Sequence, residues 1–393
     1  MRSIAPTVVC GRGGRDRSRR VSHGPVVVLG ALAALLVQPA RADGPPTLAV
    51  GSAAPDFSLP GVDGRTYSLA DFSEAPILVV VFTCNHCPTA QSYEERLIRL
   101  TEDYSSRGVA VVAISPNDPL AVRLDELGYT DLGDTLEDMK IRAEHRGVNF
   151  PYLYDGDEQA AAGAYGPVAT PHVFVFDADR KLRFVGRFDD SEEGVHAGTQ
   201  HDTRNALDAL LSGAPVPVEQ TKVFGCSVKW ADKRDSNRRY LEKLAAEEVT
   251  LEAVDEVGVR ELVANRTDEY RLINVWATWC GPCIVEFPEF VTMHRMYGHR
   301  AFELVSISAD DPSLRPKVLA FLQKQQASHR NYQFHTGDQY ALIEAVDESW
   351  QGALPYTMLV APGGEVLYSE QGEIDPLDMR RRIVDRIGRE KDW

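Results

Sequence analysis

Two kinds of apolar pattern alternate along this chain: short continuous runs, and longer stretches in which apolar residues recur every three or four positions. The run "PILVVVF" at 76–82 has no polar alternation and reads as a strand buried on both faces. Behind it Tyr93, Leu97, Leu100 and Tyr104 fall at helical spacing, and Gly108 follows the last turn. "VAVVAIS" at 109–115 is the next buried strand, so the predicted unit is strand, helix, parallel strand. "DTLEDMKIRAEHRG" predicts a helix, "PHVFVFDADRKLRFVGRFD" two strands around a turn at Asp177–Asp179, and "TRNALDALLSG" a closing helix ending at Gly213.

The order then repeats. "RLINVWA" reads as a buried strand, Cys283 to Tyr297 as a helix, "FELVSISAD" as a strand and "PKVLAFLQKQQ" as a helix. "PYTMLVAPGGEVLYSE" reads as a hairpin turning at Gly363–Gly364, and "DPLDMRRRIVDRIGRE" as the final helix. This is a duplication of architecture rather than of close sequence. A chain of 393 residues with 44% hydrophobic content has room for two cores, so two domains are expected. They are placed at 47–230 and 250–393, with the boundary near residue 240 inside a charged, helical linker at 231–249.

The first forty-odd residues break this pattern. An arginine-rich start, an apolar run from Val26 to Val37 and "ARA" at Ala40–Ala42 read as a secretory signal peptide, residues 1–42, cut before Asp43. The run is too short to span a bilayer, and an uncleaved leader would instead tether the chain to the membrane. A periplasmic or other extracytoplasmic location follows. The leader holds seven Arg and one Asp, so its removal takes the net charge from −16 to −22. Such an acidic chain repels polyanions, which excludes nucleic acid as an expected partner. No phosphate-binding glycine loop is present, no cofactor is called for, and Asp310-Asp311 reads as a solvated loop rather than a metal site.

Export leaves five cysteines where disulfides persist: two Cys-x-x-Cys pairs and Cys226. In "WCGPC" Cys280 is expected to open a helix directly after a strand, where unpaired N–H groups and the helix dipole favour its thiolate. Cys283 lies one turn on, placed to close on a mixed disulfide. Pro288 falls inside the same helix, and Pro355, after Leu354, opens a later strand; a cis bond there would leave backbone free to pair with an extended client segment. Together these features resemble the thioredoxin superfamily over nearly all of 250–393. Glu286 resembles the active-site glutamate of exported TlpA/ResA-like thiol–disulfide oxidoreductases. Asn274 stands where cytosolic thioredoxins carry a buried Asp, so Glu286 is the expected proton-transfer group. A permanent disulfide or half a zinc site is the alternative.

"TCNHCP" places His86 between Cys84 and Cys87, where an imidazolium would favour a Cys84 thiolate and make this pair the more oxidising one. Pro171, after Thr170, matches Pro355. Residues 47–230, including Cys226 in "FGCSVKW", resemble the redoxin branch, the AhpC/TSA group, and within it the peroxiredoxin-like subgroup bearing Cys-Asn-His-Cys-Pro. The resemblance implies two tandem thioredoxin-like α/β folds, each a central mixed β-sheet flanked by helices. It also departs from working peroxidases, which place Thr or Ser three residues before the cysteine and Pro four before that: Val81 and Ile77 precede Cys84, and Cys84 and Val80 precede Cys87.

The expected activity is dithiol/disulfide exchange with protein clients through Cys84, Cys87, Cys280 and Cys283. His86 would tune potential, Glu286 move protons, and Pro171 and Pro355 align clients. An upstream electron donor, such as a membrane thiol reductase, and an electron relay from the second pair to the first are part of this reading. The alternatives are a thiol peroxidase recycled by its own second domain, a Cu(I) carrier using the first pair with His86, His172 and His196, and a structural disulfide. Pro88 after Cys87 excludes haem attachment. Cys226 reads either as a small buried residue or as a third redox thiol near Cys84.

Overall fold

A computed structural model describes residues 44–191 and 200–389, so the leader and His196 lie outside the described residues. The first module opens with a small hairpin of β1 (Ser58–Pro60) and β2 (Thr66–Ser68). Then come β3 (Ile77–Phe82), α1 (Pro88–Ser105), β4 (Val109–Ser115), α2 (Leu136–Arg146), β5 (Tyr152–Tyr154) and α3 (Ala160–Tyr165). After these follow β6 (Ala169–Thr170), β7 (His172–Phe176), β8 (Leu182–Gly186), α4 (Asp202–Leu211) and β9 (Cys226–Ser227). The five-stranded sheet has the order β5-β4-β3-β7-β8, parallel on the β4 side of β3 and antiparallel on the β7 side. Ile77, Val79 and Val81 join one core cluster while Leu78, Val80 and Phe82 join the other, which is why β3 shows no polar alternation.

The charged stretch after Trp230 is a helix, α5 (Arg234–Ala245), packed on the first module: Asn237 donates to the carbonyls of Leu120 and Val122. The second module adds β10 (Glu252–Val254), α6 (Glu256–Ala264), β11 (Tyr270–Trp276), α7 (Gly281–Tyr297), β12 (Phe302–Ser308), α8 (Arg315–Gln325), β13 (Arg330–Phe334) and α9 (Gln339–Val346). It closes with β14 (Tyr356–Val360), β15 (Val366–Gln371) and α10 (Pro376–Ile387). Its six-stranded sheet runs β10-β13-β12-β11-β14-β15, again mixed about the strand that leads into the dithiol. The polar pattern of 330–334 concealed β13: Asn331 and Gln333 are buried, their amides bonded to Ala327 and His329 carbonyls and to Asp310 and Asp311 carbonyls.

Both modules belong to one compact unit. The C-terminal end of α7 makes the join. Tyr297 donates its hydroxyl to Thr130 O at 2.8 Å, Arg300 donates to Gly128 O, and Leu124 and Leu127 pack into the cluster of Phe290, Met293 and Met296. Buried Asp131 receives Arg142 from its own module and Arg381 and Arg389 from the other. Among the described residues no helix is long and apolar enough to cross a membrane.

Candidate functional site

Each module delivers its cysteines from the end of a central strand into the start of a helix, but in different registers. In the second, Cys280 is the N-cap of α7 and accepts the Cys283 N–H on Sγ at 3.3 Å; the two are disulfide-bonded. In the first, the N-cap of α1 is Cys87, with Pro88 at the first helical position, and Cys87 Sγ accepts the Ala90 N–H at 3.4 Å. Cys84, where the thiolate is expected from the sequence, therefore does not open the helix. Cys84 lies before the helix, its Sγ 3.2 Å from Thr170 Oγ1.

The electrostatics follow this register. Burial pushes the Cys84 thiol up, reinforced by the neighbouring Cys87. Burial opposes ionisation of Cys87 too, but hydrogen bonds from Cys226 and Cys84, the His86 charge and the Ala90 N–H together hold its thiol well below the ordinary cysteine value. These directions favour Cys87 over Cys84 as the thiolate of the pair, with the His86 charge acting on Cys87.

His86 owes its charge to Asp134, a residue the sequence did not single out. Burial works against the imidazolium, and the carboxylate 2.5 Å from Nδ1 outweighs it, so His86 titrates above its ordinary value. The same carboxylate accepts the backbone N–H groups of Asn85 and His86 and the amide of Asn117. Asp134 thus fixes both the shape of the Cys-Asn-His-Cys loop and the protonation of its histidine.

Cys84, His86 and Asp134 place ligand-type atoms within 4.8 Å of one another, a group that does not include His172. His172 accepts the Val168 N–H, and burial pushes it down to about 3. A carboxylate already accepting four hydrogen bonds is a poor ligand for a soft Cu(I) ion, which leaves Cys84 and His86 as the suitable donors of this group.

In the second module Glu286 sits on α7 one turn beyond Cys283, on the same helix face. It is buried, accepting the Ile374 N–H on Oε2 at 3.2 Å and the Asn274 amide on Oε1 at 3.5 Å. Burial raises its carboxyl to about 7. Asp310 corrects a second expectation: it is fully buried rather than solvated, and accepts Thr278 N–H, Thr278 Oγ1 and Ser308 Oγ, so it braces the loop before Cys280. Trp279, next to Cys280 in the chain, is 57% exposed, and Val285, farther along α7, is 75% exposed.

Pro171 and Pro355 both follow cis peptide bonds, at Thr170 and Leu354. Pro171 lines a narrow apolar cleft with Cys84, Tyr93 and Tyr152. Leu354 packs against the cluster containing Cys280 and Cys283. Beside Pro171, β6 pairs antiparallel with β9, so that Cys226 stands opposite Thr170 and its N–H reaches Cys87 Sγ at 3.4 Å.

Comparison with known proteins gives the same division. Residues 50–185 match the AhpC/TSA family and residues 242–384 the Redoxin family. A thiol-disulfide oxidoreductase ResA of Geobacillus thermodenitrificans is 26% identical over 140 residues, covering 35% of this chain and 69% of the relative. A Mycobacterium tuberculosis protein named "Putative peroxiredoxin" is 31% identical over 123 residues, covering 30% of this chain and 66% of the relative. A crystal structure of an uncharacterized conserved protein from Geobacillus kaustophilus is 41% identical and covers 46% of this chain and 92% of that one, with a TM-score of 0.42. With two mixed sheets, each feeding a Cys-x-x-Cys pair into a helix, and a redoxin-type family match over each, the chain belongs to the thioredoxin superfamily as a tandem member.

Proposed function

We propose that the protein is an exported thiol–disulfide oxidoreductase that exchanges dithiols and disulfides with protein clients at two unlike centres. The observation that carries the reading is the Cys280 N-cap with Cys283 closed upon it and buried Glu286 one turn behind. Cys280 attacks, Cys283 resolves, and Glu286 takes and returns the Cys283 proton. The exposed Trp279, next to Cys280 in the chain, offers a client protein apolar contact. Pro355 lies where an extended client segment would align. An upstream dithiol donor, for example a membrane thiol reductase, returns the second centre to its reduced form.

Trapping tests this. Cys283→Ser is expected to accumulate mixed disulfides with client proteins through Cys280, and Cys280→Ser to accumulate almost none. Equal trapping by both variants would overturn the assignment.

A peroxidase reading is not adopted, because the position three residues before Cys87 holds the Cys84 thiol instead of a hydroxyl.

Electron flow from the second pair to the first is part of the proposal, since His86 and the α1 N-terminus favour the reduced first pair and so raise its potential. Cys280 lies about 26 Å along α7 from Tyr297, where the modules join. Exchange between the pairs is therefore expected between copies. Its rate should rise in proportion to protein concentration, and a rate independent of concentration would place the relay within one chain.

A further inference from the structure

We infer that the first module works with three thiols, Cys226 being the one through which Cys87 exchanges with dithiol clients. The inference rests on the thiol–disulfide reading above and adds to it the route into the buried centre.

Cys87 has 0% exposure and, unlike Cys84, lines no cleft among the described residues, so its sulfur is closed to a protein client. Cys226 is half-buried and packs against both. It is carried there by β9, which pairs with β6 immediately before Pro171. That edge is where an extended client segment would add as a strand, so the chain has laid a cysteine-bearing segment of its own along it. The fit is close: Gly225, at φ +130°, lies against Thr170 O, and a Cβ there would come within 2.1 Å of that oxygen. Cys226 then donates its N–H to Cys87 Sγ at 3.4 Å, while Cys84 Sγ contacts Thr170 Oγ1. Cys87 is the shared neighbour of the other two thiols.

The exchange balances once the first pair, free thiols in the structure, has passed two electrons and two protons to a disulfide client. Starting from a Cys84–Cys87 disulfide, the Cys226 thiolate attacks Cys87 Sγ. The Cys87–Cys226 bond forms as Cys84–Cys87 breaks, and Cys84 leaves as a thiolate that takes up the proton Cys226 gave up. Nothing is oxidised in this step; the disulfide has moved outward. A client dithiol then attacks Cys226 Sγ and expels the Cys87 thiolate, the form this site stabilises. The second client thiolate closes on the mixed disulfide and releases Cys226. The client loses two electrons and two protons, and Cys87 and Cys226 gain them.

The test uses the full chain with Cys280 and Cys283 both replaced by Ser, oxidised with glutathione disulfide, and reduced, unfolded ribonuclease as the dithiol probe. Peptide mapping of the Cys84→Ser variant is expected to find Cys87 and Cys226 joined in nearly every molecule. Cys226→Ser and Cys226→Ala should form the Cys84–Cys87 disulfide fully yet oxidise the probe about tenfold or more slowly. Free, alkylatable Cys87 and Cys226 in oxidised Cys84→Ser, or undiminished probe oxidation by both Cys226 variants, would overturn the inference and leave the oxidoreductase reading standing. If the parent chain with all three thiols neither forms a disulfide nor oxidises the probe, both fall for this module.

Discussion

Asp134→Ala is expected to cost the first module about 3–5 kcal/mol of stability, because it removes the counter-charge of a fully buried imidazolium. Two backbone N–H groups in the Cys-Asn-His-Cys loop and the Asn117 amide lose their acceptor at the same time. Denaturant titration followed by fluorescence measures the loss.

Asp134→Asn separates the two roles. The amide oxygen can still accept from Asn85 and His86, but it supplies no charge, so His86 becomes neutral at pH 7 and the Cys87 thiol should rise toward the range of an ordinary cysteine. Thiolate ultraviolet absorbance against pH reads this directly in a Cys84→Ser, Cys226→Ser background. The pH dependence of stability has two limbs. Asp134 is held low by the pair, so its contribution is present above the unfolded carboxylate value and is lost as pH falls through its folded value. His86 is held high, so its contribution is present below the unfolded imidazole value and is lost as pH rises through its folded value. Asp134→Asn should flatten both limbs; an unchanged profile would show that the pair carries no charge coupling.

The parts of the molecule that announce themselves in the sequence are those whose periodicity is set by burial. β3 is a continuous apolar run, and β4, β11 and β12 are mostly apolar, because both faces of each are covered, and α1 shows its buried stripe as Tyr93, Leu97, Leu100 and Tyr104. The two prolines next to the dithiols were legible from their place before a strand. The thiol order of the first pair was not read correctly, although a signal was present: Pro88 directly after Cys87 marks Cys87 as the N-cap, since proline is at home in the first helical position. A charged side chain between two sulfurs does not by itself say which of them it serves.

What stayed hidden are acidic residues whose function comes from tertiary burial. Asp134 lies 48 positions beyond His86 in a loop without periodicity, and Asp310 shares its dipeptide with Asp311, which really does face solvent. Yet they do the same job. In each module an Asp beyond the second long strand of the sheet reaches back to brace the loop ahead of the nucleophile. The first adds a histidine to the arrangement and so couples the brace to thiolate charge. The second binds Thr278 and leaves proton management to Glu286.

That division makes Glu286 the residue whose titration should be visible in both stability and rate. In the folded chain its carboxyl titrates at about 7, chiefly because it is buried, against an ordinary value of 4.5. The folded state therefore keeps a proton that the unfolded chain has already released between these limits, and stability falls as pH rises from about 4.5 through 7. The loss amounts to about 3 kcal/mol at pH 8, and Glu286→Gln, which buries an uncharged amide of the same shape, should remove this slope and be the more stable chain there. The rate has the opposite dependence. Glu286 can accept the Cys283 proton only when ionised, so resolution of the Cys280–client mixed disulfide should accelerate through pH 7 in the parent chain. In Glu286→Gln it should lose that limb and slow roughly 100-fold at pH 8. Resolution followed by stopped-flow after mixing the reduced chain with a disulfide peptide, across pH 5–9, separates the two effects. A variant that is stabilised at high pH but resolves at the parent rate would leave Glu286 a buried acid with no part in proton transfer.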